Sequence, residues 1–321
     1  MLQLLLPDVS ASLMAFLGIM VAFAATVITT AVFAPHLPKD GGRAYAHDGK
    51  LSEGKPRGAG ILFVLSFAGA ALLFAPLTPE RVIYLILLVI CMMTGYLDDA
   101  AKTPWGEFKK GFLDFCVAAM VAFTYLKFNG SDVDLALLGI SFTLPAWIFA
   151  ILTVILVWAS VNVTNCADGV DGLSGTLTIV TLLGIYGIDL LREADGDYAF
   201  MNLLFSVCIL GYLWFNATPS KLMMGDAGSR AMGLFIAIAI LKTGSPFLYV
   251  PMALVLILDG GLGLVKVSLI RAFKIHIMKN VRTPLHDHVR KNWGWSNTQT
   301  VYRFAIIQIM LCLAVLYGIG L

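Results

Sequence analysis

LPAWIFAILTVILVWASV-NVTNCADGVDGLSG-TLTIVTLLGIYGI, residues 144–188, is two apolar runs joined by a short polar stretch. About 20 apolar residues are enough to cross the hydrocarbon of a bilayer as a helix. Each flank is about that long, so the reading that decides the fold is a pair of membrane helices joined at 162–172. The join is unusual in content. Asn162, Asn165, Asp168 and Asp171 recur every three residues, with Gly169 and Gly172 among them. On a helix this spacing makes a slowly drifting stripe. Asn162 and Asn165 could then line a pocket with Asp168, before the glycines open the turn. Asn and Asp are also ordinary turn and cap formers.

The rest of the chain repeats the pattern. Of 321 residues, 59% are hydrophobic and only 13% charged, where a soluble domain carries roughly a quarter charged. Apolar runs fall near 11–34, 58–77, 80–97, 112–128, 141–161, 173–191, 200–216, 229–241, 245–270 and 301–320. The expected architecture is all-α: a polytopic integral membrane protein of about ten transmembrane helices. No gap between runs is long enough for a soluble domain, so residues 1–321 read as one transmembrane catalytic domain. No Lys or Arg precedes the first run, which is too long for a leader core and reads as a retained span. The five cysteines stand singly and make no metal-ligand or redox motif.

Ten spans place alternate connections on opposite faces. Of the 22 Lys and Arg residues, 18 fall on the side of 35–57, 98–111, 162–172, 217–230 and 271–300, and four on the other: Arg81, Lys127, Arg192 and Lys242. An excess of Lys and Arg marks the cytoplasmic side, so both termini are expected outside the cytoplasm.

The same face collects acids set into apolar sequence. Asp98 and Asp99 lie in TGYLDDAAK, Asp168 and Asp171 in NCADGVDGLSG, and Asp226 in KLMMGDAGSRAMG. Such charges at a membrane boundary need pairing, hydration or a ligand. Carboxylates with amides and glycines are the hard-oxygen set that suits Mg²⁺, which keeps waters and substrate phosphates in its shell. Carboxylates beside cations suit a diphosphate, with one acid left to handle a proton. Asp98 and Asp99 project about 100° apart on a helix, so one can face a metal and the other a substrate.

RTPLHDHVRKNWGWSN, 282–297, sets His286, Asp287 and His288 among cations suited to phosphate oxygens. DGKLSEGKPRGAG, 48–60, is a glycine-rich basic loop that either cradles phosphates or follows the charge rule; it is no P-loop. Asp259 lies inside an apolar run, where an acid is a functional candidate by default. Pairing with Lys266 on the following turns is the structural alternative.

These stretches, ending with PLHDHVRKNWGW and VYRF, occur in the order found in the polyprenyl-phosphate N-acetylhexosamine-1-phosphate transferases. Within that superfamily the chain resembles the MraY-type phospho-N-acetylmuramoyl-pentapeptide transferases (translocase I), from residue 54 to 304. The resemblance implies a ten-helix enzyme of the bacterial cytoplasmic membrane, usually a homodimer, with its site facing the cytoplasm. It implies transfer of phospho-MurNAc-pentapeptide from the UDP-linked donor to undecaprenyl phosphate, giving lipid I and UMP, with Mg²⁺ required. Nucleoside antibiotics are implied as inhibitors, and nucleic acid is not among the expected partners.

Carried over by motif, Asp98 matches the carboxylate that engages the lipid phosphate, Asp99 its functional neighbour and Asp226 the Mg²⁺ ligand. His286 and His288 join them as catalytic candidates. Lys55, Arg57, Lys110, Asn162, Asn165, Cys166, Asp168, Asp171, Met223, Gly225 and Asp287 are the substrate-binding candidates. Three departures stand out. The usual triple histidine reads His286-Asp287-His288. The usual Gly-Thr-Pro-Thr reads Gly54-Lys55-Pro56-Arg57. Cys166 replaces an aliphatic residue beside the nucleobase. They leave a UDP-GlcNAc-using relative as the nearest rival. A cation-coupled transporter, whose acids belong near the bilayer centre with repeated halves, and a membrane scaffold fit less well.

Overall fold

The computed structural model describes residues 2, 9–42, 52–101, 103, 105–192 and 196–320. Every apolar run has become helix. In chain order the long elements are α1 (Ala11–Phe33), α2 (Gly60–Phe74), α3 (Pro79–Asp99), α4 (Glu107–Asn129), α5 (Ala146–Cys166), α6 (Leu173–Leu191), α7 (Gly196–Asn216) and α8 (Gly225–Lys242). A broken segment follows, α9 (Pro246–Met252) and α10 (Leu254–Phe273), bent by 70°. A short amphipathic helix, α11 (Leu285–Trp293), and the long α12 (Asn297–Gly320) complete the bundle.

Among the described residues seven helices are long and apolar enough to cross a membrane, or eight if the bent pair counts as one. The other two expected spans are helical but differ. α2 is a shorter apolar helix. α8 opens on the polar turn GDAGSR and is buried along nearly its whole length, packed against α2, α3, α5 and α6. A helix enclosed by protein need not be apolar enough for lipid. The outermost helices show the reverse: Phe16 and Ile28 of α1, and Met310 and Tyr317 of α12, turn large apolar surfaces outward.

The run at 141–161 needs one correction. Its first residues are not helix but the second strand of a hairpin, β1 (Asp132–Leu135) paired antiparallel with β2 (Ile140–Thr143), and Pro145 precedes the helix start at Ala146. A proline there is pre-set for a helix entrance and cannot continue the strand ladder.

The break at Ala253 frees backbone groups that lipid could not satisfy. Gln308 of α12 restores them: its amide donates to Met252 O at 2.7 Å, and its Oε1 accepts from Val255 N at 2.9 Å. Just past the break, Ile257–Gly261 forms a π turn. The bend carries α10 away from the bundle and brings the π turn against the end of α5, where a Cβ on Gly260 would lie 2.1 Å from Val163 O.

Candidate active site

The ends of α3, α4, α5 and α8 and the loop before α2 meet at one end of the bundle, the end that the charge pattern groups together. α3 delivers the adjacent acids in two directions. Asp98 turns toward α4: Oδ1 accepts from Trp105 N at 2.7 Å, and the carboxylate is paired with Lys110. Asp99 turns toward the start of α8, where Oδ2 accepts from Ala227 N at 3.2 Å and Oδ1 lies 2.9 Å from Arg57 Nε. A carboxylate at free helix N–H groups is electrostatically favoured.

Asp226 closes the ring. Lys110 Nζ lies 3.3 Å from its Oδ2, and an Arg57 terminal nitrogen 3.8 Å from its Oδ1. Arg57 also reaches Asp40 at 3.5 Å. Burial works against the charge of Arg57, but Asp99, Asp226, Asp40 and Asp168 outweigh it and raise its pKa above the ordinary arginine value. The Asp99 side chain is fully buried, whereas that of Asp226 is 17% exposed and that of Lys110 29%. Three carboxylates thus share two cations around a point that solvent reaches.

Gly225 has φ +66°, and a Cβ there would lie 2.2 Å from Asp99 Oδ2. Only glycine lets α8 start this close to Asp99. A Cβ on Gly95 would fall 2.4 Å from Asp226 O, so α3 and α8 touch backbone to backbone.

Around the ring, Asn165 donates to Ser229 Oγ at 2.9 Å and braces the first turn of α8. Asp171 accepts from Ser220 N at 3.1 Å, and Lys55 donates to Ser220 Oγ at 3.0 Å. Met223 fixes the same loops through its backbone, pairing with Pro56 O at 2.8 Å and Ala59 N at 3.0 Å. Asp168 is half-buried and adds to the field at Arg57. Residues 48–51 of the basic loop lie outside the described residues. Asn162 does not join the pocket: its amide donates to Trp158 O of its own helix at 2.8 Å. The stripe drifts, and by residue 162 it has turned off the site.

The HDH stretch divides by function. His286 is buried and bonded twice to Asp259, through its backbone N at 2.7 Å and Nδ1 at 2.8 Å. Asp259 therefore pairs with α11, while Lys266 donates to the carbonyls of Met278 and Val281. Asp287 accepts from Arg290 at 2.7 Å, a pairing within its own helix. His288 faces its own loop, with Nδ1 accepting from Arg282 N at 3.2 Å and its ring against Trp293. Cys166 lies beside the π turn, its Cβ 3.1 Å from a Cβ placed on Gly260.

Sequence reasoning missed Asp40, which sits in a loop with no motif, and Ser229 and Asn216, which brace the polar turns. It also missed the buried pair of Arg230 and Asp114 one turn below the ring. The one available signal for that pair was an acid and an arginine inside apolar runs.

No three His, Cys, Asp or Glu side chains form a ready-made metal cage among the described residues. Mg²⁺ seldom uses one, taking one or two carboxylates with water and phosphate. A partly exposed carboxylate in a ring with more acids than cations fits that mode.

Residues 81–244 match glycosyl transferase family 4. Similar proteins include a phospho-N-acetylmuramoyl-pentapeptide-transferase of Treponema pallidum subsp. pallidum, 41% identical across 87% of this chain and 82% of that one. Proteins of the same name from Shouchella clausii and Clostridium acetobutylicum are 30% and 25% identical, across 93% and 92% of this chain and 95% and 96% of theirs. The chain therefore belongs to glycosyl transferase family 4 and, within it, to the phospho-N-acetylmuramoyl-pentapeptide-transferases, phosphotransferases of bacterial membranes.

Proposed function

We propose that this chain transfers phospho-MurNAc-pentapeptide from its UDP-linked form to undecaprenyl phosphate, releasing UMP and forming lipid I at the cytoplasmic face. The observation that carries the reading is the ring Asp98–Lys110–Asp226–Arg57–Asp99, with its three acids on two cations. The reaction joins two anions. An oxygen of the acceptor phosphate bonds to the sugar-linked phosphorus, and that phosphorus loses its bond to the UMP oxygen. Lys110 and Arg57 hold the anionic oxygens, which preorganised cations stabilise most as charge shifts between them. Asp98, which is paired with Lys110, takes the proton of the acceptor phosphate, while Asp99 fixes Arg57. Asn165, Asp168 and Asp171 line the donor's side. Asp226 would hold Mg²⁺, which when bound would supply charge neutralisation for diphosphate oxygens.

Assembly as a homodimer and inhibition by nucleoside antibiotics belong to the same proposal. The acids gather at one end of the bundle rather than midway along it, which speaks against a cation-coupled transporter. The test is UMP release by the purified chain in detergent, with Mg²⁺ and undecaprenyl phosphate, from UDP-MurNAc-pentapeptide or UDP-GlcNAc. Release from the first donor alone is expected. Release from UDP-GlcNAc alone would move the chain to the rival substrate, and release from neither would end the transferase reading.

A further inference from the structure

Asp259 is a wholly buried carboxylate that the carboxylate ring does not use. It sits in the π turn Ile257–Gly261, a form that recurs at functional sites in helices. Both of its oxygens point to one residue. Oδ1 accepts from His286 N at 2.7 Å and Oδ2 is 2.8 Å from His286 Nδ1. An ionised carboxylate only accepts, so Nδ1 must carry a proton and Nε2 is the free ring atom. On its other side the imidazole is fixed by Gly169, where a Cβ would lie 2.2 Å from Nε2. Gly169 stands between Asp168 and Asp171 in the polar turn after α5, so Nε2 is presented at the turn that lines the donor's side.

We infer that Asp259 is the positioning residue of His286: it fixes the tautomer and the ring plane so that Nε2 offers its lone pair to a hydroxyl or N–H of the UDP-linked donor. The inference rests on the transferase reading for the donor, but the clamp itself needs no substrate. A point fixed at both the backbone and the ring leaves the side chain no other rotamer to sample. Carboxylates behind a working histidine act this way in other sites, and their loss typically costs about 10- to 100-fold.

The test uses full-length protein carrying ¹⁵N-labelled histidine, the His286 signal being identified by its loss in His286→Gln. In the wild type Nδ1 should be protonated. In Asp259→Asn the side-chain amide can donate to Nδ1, so the proton should move to Nε2, with kcat for UMP release falling about 10- to 100-fold. Asp259→Glu, which keeps the acceptor, should keep the Nδ1 proton and recover more kcat than Asn. Combining Asp259→Asn with His286→Ala should cost little more than His286→Ala alone, since the one bond left to Asp259, from the backbone N of residue 286, can still be accepted by the Asn oxygen. An unchanged His286 signal in Asp259→Asn, or losses that multiply in the double variant, would overturn the inference. If Asp259→Asn does not fold, the Glu variant decides, a lost Nδ1 proton there counting against it. A wild type that releases no UMP would refute the transferase reading, while the tautomer signal would still judge the clamp.

Discussion

The two ends of the bundle hold the same kinds of charge in opposite arrangements. At the end away from the ring, Glu80 pairs with Lys242 at 3.1 Å and Asp134 pairs with Arg192, one cation to each acid. Asn129 completes the first pair, donating to Glu80 Oε1 at 2.7 Å, and Thr243 O the second. At the other end Asp98, Asp99 and Asp226 share Lys110 and Arg57. Matched pairs tie helices together. The unmatched ring keeps an appetite for a cation and leaves two basic groups for anions, which is what a diphosphate site needs. The deep pair of Arg230 and Asp114, both almost fully buried, shows the matched design even one turn below the ring.

The largest effect expected from this contrast is at Asp226. Asp226→Asn keeps the shape but removes the charge that Lys110 and Arg57 share and the carboxylate that suits a divalent cation. Turnover should fall at least about a thousandfold, the upper scale for losing one electrostatic element of a site, with the thermal transition little moved. Near-normal turnover at ordinary Mg²⁺ would take Asp226 out of the metal site and reduce the imbalance to a structural detail.

A smaller effect separates the two histidines. Reading the sequence alone gives His286 and His288 equal parts. The structure buries the first against Asp259 and turns the second to Arg282 and Trp293. His286→Ala should therefore cut kcat/KM about a hundredfold, and His288→Ala less than about tenfold. Asp287→His should retain at least about a tenth of the activity, because Arg290 keeps Asn297 and the His286 carbonyl as partners. Initial rates for the three variants decide it. Equal losses at 286 and 288 would restore the symmetric reading.

The places where sequence and structure part follow from the range of the interactions. Asp98, Asp99 and Asp226 stood out because a charge set into apolar sequence must be answered by something, whatever the fold, whereas Lys110 came only from the motif resemblance. The helices were legible as runs that only a bilayer or a bundle core would take. Partners were not. Asp259 could be given Lys266 one or two turns on, because helical spacing shows only neighbours. Its real partner, His286, lies 27 residues on, past the end of α10 and the loop that follows it, where no helical periodicity reaches. Asp40 had no signal at all, since a loop aspartate looks the same whether or not an arginine reaches it. Asn162 shows the converse: its spacing was right for the stripe, but a drift of a few tens of degrees over three residues put it on the helix's own Trp158 carbonyl.

The smallest effect on activity belongs to the matched end, and it checks the comparison from the other side. Lys242 donates to both oxygens of Glu80, at 3.1 and 3.3 Å, and to Asn129 Oδ1 at 2.7 Å. In Lys242→Met the methylene stem is kept and the charge is lost, while the Asn129 amide still donates to Glu80 from α4. A mostly buried acceptor without its cation should cost about 1–3 kcal/mol of stability, read as a lower thermal midpoint in detergent. Because the pair ties α3 to α8 at the end opposite the ring, kcat should stay within about twofold at temperatures where the variant is folded, below any change a lost site group makes. A tenfold loss of kcat without a shift in the midpoint would mean that the two ends are coupled through α8, and that the matched pairs do more than tie helices.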